Sequence, residues 1–311
     1  MSRLSAIFSR AFLWLVFWAV PFVLQPVVAS SAEVAVIKSQ DLLPYDQAVE
    51  GFRRHTKVDV VEYNMQGDVN EGMKIVGQAK RRKLAAVLAV GSKAAGLARE
   101  SFPDIPLVYC LVIDPNRYGL QSGNVTGIDL EIPIQSQFKA FKSVVPALKR
   151  IGVLYDPTKT SGLIRSAREE ARHLNLELVE AEVRTAQEIP GAIRSLLPQI
   201  QGLWMVPDST VITNDSFQFI LLTTLEKGIP FMAFSDSFVK AGALLALSPD
   251  YVSIGKQSSV LVDQVIRSGI PDQGKVIYPE TARLTINLKT AKILGLDIPE
   301  EVLKTADEVF R

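Results

Sequence analysis

Polar residues that directly follow apolar runs are where this chain can do chemistry. The run LAAVLAV (84–90) ends in Gly91-Ser92, and a helical stretch follows. Free backbone N–H groups at such a helix start attract an anion, and the Ser92 hydroxyl can cap the helix or donate to a ligand carboxylate. The run GLWMV (202–206) ends in Pro207-Asp208-Ser209. Asp208 can receive an ammonium group, or it can serve as an N-cap or Asx-turn. Together, an anion site and an opposed carboxylate suit the two charged ends of an α-amino acid. Tyr45 follows Pro44 in another such turn and can either stack on a ligand ring or staple its own loop.

Other positions have the same placement. Ser39 follows VAVIK, Asp114 follows LVYCLVI, and Ser235 and Asp236 follow PFMAF. Thr126 stands in a Gly-rich segment, GNVTGIDLEIP (123–133), that reads as the break between two halves. Asp114 precedes Pro115 and equally reads as a turn initiator. The candidate ligand-binding set is therefore Ser39, Tyr45, Ser92, Asp114, Thr126, Asp208, Ser235 and Asp236.

Catalytic signatures do not appear. There is no GxGxxG after a strand, no P-loop and no GxSxG. The two histidines, His55 and His173, fall late in predicted helices, away from any metal-ligand spacing. A binding protein, not an enzyme, is expected, with no catalytic residue, no cofactor and no metal. The lone Cys110 sits in an apolar strand and reads as packing. The basic run Lys80-Arg81-Arg82-Lys83 closes a helix, where cations favour the macrodipole, and no aromatic residue is interleaved. Nucleic acid is not an expected partner.

The elements that position these residues come as a repeat. Strands alternate with helical stretches from Val34, which implies βαβ units and parallel sheets. The stretch from Leu84 to Tyr109 has the same order of strand, polar turn, helix, Ile-Pro and strand as the stretch from Gln201 to Phe234. The fold class expected is α/β, with two Rossmann-like lobes joined by hinge strands. Residues 33–126 plus about 248–280 are assigned to the first lobe. Residues 127–247 plus about 281–311 form the second. The run 242–248 is expected to cross back to the first lobe, and the last helix to run from Pro299 to Val309. Ligands of open α/β sheets bind outside the carboxyl ends of the strands.

Residues 1–32 stand apart. Arg3 and Arg10 form a positive region ahead of an apolar run from Ala11 to Leu24, and small residues follow to Ala32. This is the pattern of a cleaved secretory signal peptide, with a retained anchor as the other reading. Without it the balance is 32 basic to 33 acidic residues, which favours neither nucleic acid nor an anionic membrane.

At this point the residues carry a family resemblance. PYDQAVEGF, IPLVYCLVIDPNRYGL, NVTGIDLEIP followed by VVPALKRIGVLYDP, VPDSTV, AGALLALSPDYVSIGKQ and INLKTAKILGLDIP together resemble the ABC-transporter substrate-binding proteins. The resemblance runs nearly end to end and implies the type I periplasmic binding protein fold. It also implies a monomer in the periplasm that captures a small-molecule ligand for an ABC permease in the inner membrane. Members near the tryptophan and tyrosine importers suggest an aromatic amino acid. VGSKAAG and KSQDLLPY depart from the pattern common in that group, and both lie on the ligand side. A sensory module that signals to a membrane kinase or cyclase is the alternative use of the same fold.

Overall fold

The computed structural model describes residues 33–113, 115–121, 123–270 and 277–311. The expected signal segment and Asp114 lie outside the described residues. The first lobe is built from β1 (Glu33–Lys38), α1 (Leu43–His55), β2 (Asp59–Asn64), α2 (Val69–Ala79), β3 (Leu84–Val90), α3 (Ser92–Ser101), β4 (Leu107–Val112) and β5 (Val125–Asp129). The strands form a parallel sheet in the order β2-β1-β3-β4-β5. Their apolar runs are near-continuous because both faces are covered. Ala35 and Ile37 pack under α2 and α3, while Val34 and Val36 pack under α1.

The chain then enters the second lobe through α4 (Ile134–Val144), β6 (Arg150–Tyr155), α5 (Pro157–His173), β7 (Glu177–Glu182), α6 (Ile189–Leu196), β8 (Gly202–Trp204), α7 (Asn214–Glu226), β9 (Phe231–Ala233), α8 (Asp236–Lys240) and β10 (Leu245–Pro249). The order β7-β6-β8-β9-β10 reproduces that of the first sheet. The repeat seen in sequence is thus a repeat of topology: two doubly wound α/β units with the same strand order.

The crossing back differs from expectation. The run 242–248 does not leave the second lobe, because β10 pairs in parallel with β9 and antiparallel with the strand that follows it in sequence. The return is made after Pro249 by α9 (Tyr251–Ser268), which packs on α1. Small residues permit that packing. A Cβ on Gly255 would collide with the Ala48 carbonyl, and one on Gly51 with the Val252 carbonyl. Ile277 then bridges Ile128 of β5 before β11 (Ala282–Asn287), α10 (Leu288–Ile293), α11 (Glu300–Thr305) and β12 (Glu308–Phe310) complete the second lobe.

Two further expectations are corrected. The final helix stops at Thr305, and 308–310 form a strand parallel to β11. A Glu-Val-Phe triplet gains a ladder there that a frayed helix end lacks. Residues 125–129, expected as an inter-lobe break, are the fifth strand of the first sheet. Trp204 is core, as read from its strand. It is 2% exposed, its Nε1 donates to Gln137 Oε1 at 2.8 Å, and it meets Phe138 edge-on at 5.0 Å.

Candidate functional site

The carboxyl end of the first sheet gathers three of the expected residues around one glycine. Gly91 links β3 to α3 with φ +91°, a backbone that favours glycine. A Cβ there would lie 2.6 Å from the Tyr45 hydroxyl oxygen and 2.7 Å from Ser39 Oγ. Ser39 is 3% exposed and acts as a clamp. Its N–H donates to Val90 O at 2.9 Å, its carbonyl accepts from Gly67 N at 2.8 Å, and its hydroxyl accepts from Ala94 N at 2.9 Å. A side chain far away in sequence therefore caps α3. Ser92 does not: Gly91 holds the N-cap position, and Ser92 Oγ accepts from Ile113 N at 3.2 Å. Tyr45 is half-buried in the first turn of α1. Burial first, and then the neighbouring Cys110, raises its phenol above the ordinary range.

Behind this face lies a charged residue that sequence reading missed. Lys38, the last residue of β1, is 7% exposed. Its ammonium contacts Asp46 at 2.6 Å, Asp41 at 3.3 Å and Glu62 at 3.4 Å. Burial pulls its pKa down, but the bonds to Asp46 and Asp41 and the charge of Glu62 outweigh that and raise it. A lysine directly after the apolar run VAVI (34–37) was the available signal. Cys110 is inert packing: burial pushes its thiol up to about 12, with a partly opposing bond from Ser258.

Asp208 sits at the carboxyl end of the second sheet, and its role there is bracing. It is 1% exposed. Its Oδ2 accepts from Asp156 N at 2.8 Å and Thr160 Oγ1 at 2.7 Å. Its Oδ1 accepts from Thr210 N at 2.9 Å and Val211 N at 3.3 Å. Asp156 completes the lattice. It caps α5 through Thr158 N at 2.9 Å and accepts from Thr210 Oγ1 at 2.7 Å. The Thr210 and Thr158 bonds lower its carboxyl to about 2.

Asp236 opens α8, and its Oδ1 accepts from Ser248 Oγ at 2.7 Å and Thr285 Oγ1 at 3.0 Å. Ser235 is half-buried beside it, with its Oγ 2.8 Å from Ser237 Oγ. Thr126 lies near the amino end of β5, paired with Val108 and 8% exposed, away from the carboxyl ends of the strands. The structure thus brings Ser39, Tyr45 and Ser92 together in one lobe, and Ser235 and Asp236 together in the other. His55 and His173 are exposed at helix ends. Arg82 forms a fork with Glu33 at 2.7 and 2.6 Å, so the basic run closing α2 is partly paired. No group of His, Cys, Asp or Glu suited to a metal ion occurs among the described residues, and no helix there is long and apolar enough to cross a membrane.

Two matched doubly wound lobes, with the chain crossing between them after β5, after β10 and before β11, define the fold of type I periplasmic binding proteins. The chain belongs to the ABC transporter substrate binding protein family, whose pattern matches residues 47–310. It is 26% identical over 255 residues to a tyrosine-binding protein of Clostridioides difficile (strain R20291), covering 79% of this chain and 73% of that one. Two solved structures share the fold. One is the ABC domain of a Streptococcus pneumonia protein in complex with L-Trp, with TM-score 0.59, 22% identity, and 90% and 100% of the two chains covered. The other is a ligand-free, open substrate binding protein with adhesive properties from Clostridium difficile, with TM-score 0.74, 20% identity, and 90% and 99% covered.

Proposed function

We propose that this protein captures a free amino acid, aromatic in preference, between its lobes and delivers it to an ABC permease of the inner membrane. It works in the periplasm after export, as a monomer and without turnover of its ligand. The observation that carries the reading is the convergence of Tyr45, Ser39 and Ser92 on the Gly91 turn. That convergence puts an aromatic ring beside the start of α3. Family membership and the tyrosine-binding relative support the cargo class. Ser235 and Asp236 face the ligand from the second lobe. Asp208 ties the loop after β6 to its own loop and is not a ligand contact in this reading.

The test is a thermal-shift screen of the purified protein against the common amino acids, purines, sugars and short peptides. A ligand at a hundred times its Kd adds roughly 2.7 kcal/mol, a visible rise in Tm. A rise with tyrosine, tryptophan or phenylalanine, and recovery of that compound unchanged, is expected. A rise with a sugar or purine alone, or conversion of the ligand, overturns the reading.

A further inference from the structure

Resting on the amino-acid reading above, we propose that the second lobe alone holds the ligand's head group, with its ammonium on Asp236 and its carboxylate on Arg283. Asp236 is half-occupied. Ser248 and Thr285 both donate to Oδ1, while Oδ2 receives no donor among the described residues. A carboxylate oxygen left this way, half-buried, has room for a charged donor.

Arg283 stands beside it. In the antiparallel pair of β10 and β11, Arg283 is directly opposite Ser248, and Thr285 lies two residues further on the same face. The guanidinium therefore leaves the sheet next to the two hydroxyls that anchor Asp236. The two opposite charges do not pair with each other. Among the described residues Arg283 reaches only Glu308, at 3.9 Å and on an exposed edge, a contact worth little. Its Nε is buried with no acceptor, the one such side-chain atom among the described residues. A buried unsatisfied donor is costly in a native fold and calls for a specific partner. A guanidinium and a carboxylate on neighbouring positions that stay apart are bridged by a zwitterion, which supplies an acceptor to one and a donor to the other.

Tyr251 opens α9 next to this pair. Burial first, and then the charge of Asp236, raises its phenol, which keeps it neutral beside the head group. Asp208 cannot take the ammonium, because four donors already fill it.

The test is calorimetric titration with three probes: L-tyrosine, tyramine, which lacks the carboxylate, and 3-(4-hydroxyphenyl)propanoic acid, which lacks the ammonium. Wild-type protein should bind tyrosine at least tenfold more tightly than either analogue. R283Q should lose tenfold or more for tyrosine and the propanoic acid, with tyramine unchanged; R283K, which keeps the charge, should recover part of the loss. D236N, which keeps an acceptor for Ser248 and Thr285, should lose tenfold or more for tyrosine and tyramine, with the propanoic acid unchanged. Equal losses across all three probes, or no loss, overturn the assignment while leaving the amino-acid reading intact. Wild-type protein that binds neither these probes nor tryptophan or phenylalanine overturns both, and that failure is visible before any variant is made.

Discussion

Asp156 and Asp208 each reach into the other's loop, and this exchange decides what either can do. Asp208 accepts the Asp156 amide, while Asp156 accepts the Thr210 hydroxyl. Carboxylates saturated in this way position neighbours and do not receive ligands. Because its folded pKa is depressed to about 2, Asp156 contributes stability that is complete above the ordinary carboxylate pKa of about 3.9. That contribution is lost as pH falls from about 4 towards 2. D156N lacks it at every pH. Urea unfolding should therefore show wild type well above D156N at pH 5, with the gap closing by pH 2. A gap that stays constant across that range would assign the Asp156 effect to shape and not to charge. The sequence marked Asp208 as a strand-end carboxylate, and Asp156 follows β6 in the same way. That both are filled could not be read there, because the answer depends on hydroxyls and amides of Thr158, Thr160 and Thr210 meeting across loops about fifty residues apart.

At the scale of elements, the contact between α1 and α9 is the one on which the return crossing depends. It joins residues some two hundred positions apart and brings backbone to backbone at Gly51 and Gly255. A methyl group at either glycine meets a carbonyl, not a yielding side chain. Overpacking in a tight interior costs typically ~1–3 kcal/mol. G255A should lower the unfolding free energy by about that much in chemical denaturation, with G51A similar. Addition of the two losses in the double variant would place the strain at separate points, and less than addition would show that the helices shift together. Gly162 and Gly191 lie in helices too, but an added Cβ there meets nothing within 4 Å. G162A is the control and should not destabilise. The helical pattern of both elements was visible in sequence, but their partnership was not, since a small residue in a helix reads the same whether it faces solvent or a neighbour.

For the whole molecule, closure of the two lobes over a ligand is the motion that the three crossings permit. Small-angle scattering with and without a bound aromatic amino acid should show a smaller radius of gyration in the ligand's presence. An unchanged radius with a ligand that demonstrably binds would remove lobe closure from the mechanism.

Composition and periodicity alone determined the α/β class, the repeat of strand, turn and helix, and the strand-end positions where ligands of such sheets bind. These are local properties, carried by runs of a few apolar residues and the polar turn after each. Ser39, Tyr45 and Ser92 were identifiable on those grounds. Lys38 was hidden within a strand run, and Arg283 near the start of one late in the chain. Only the tertiary structure decided that the run 242–248 stays in the second sheet, that 308–310 pairs with β11, and that Thr126 lies inside a strand. It also decided that Asp208 is filled while Asp236 keeps an oxygen open among the described residues. Each of those outcomes depends on which distant donor or strand edge arrives at the same place, and a one-dimensional pattern of apolar and polar residues does not encode that meeting.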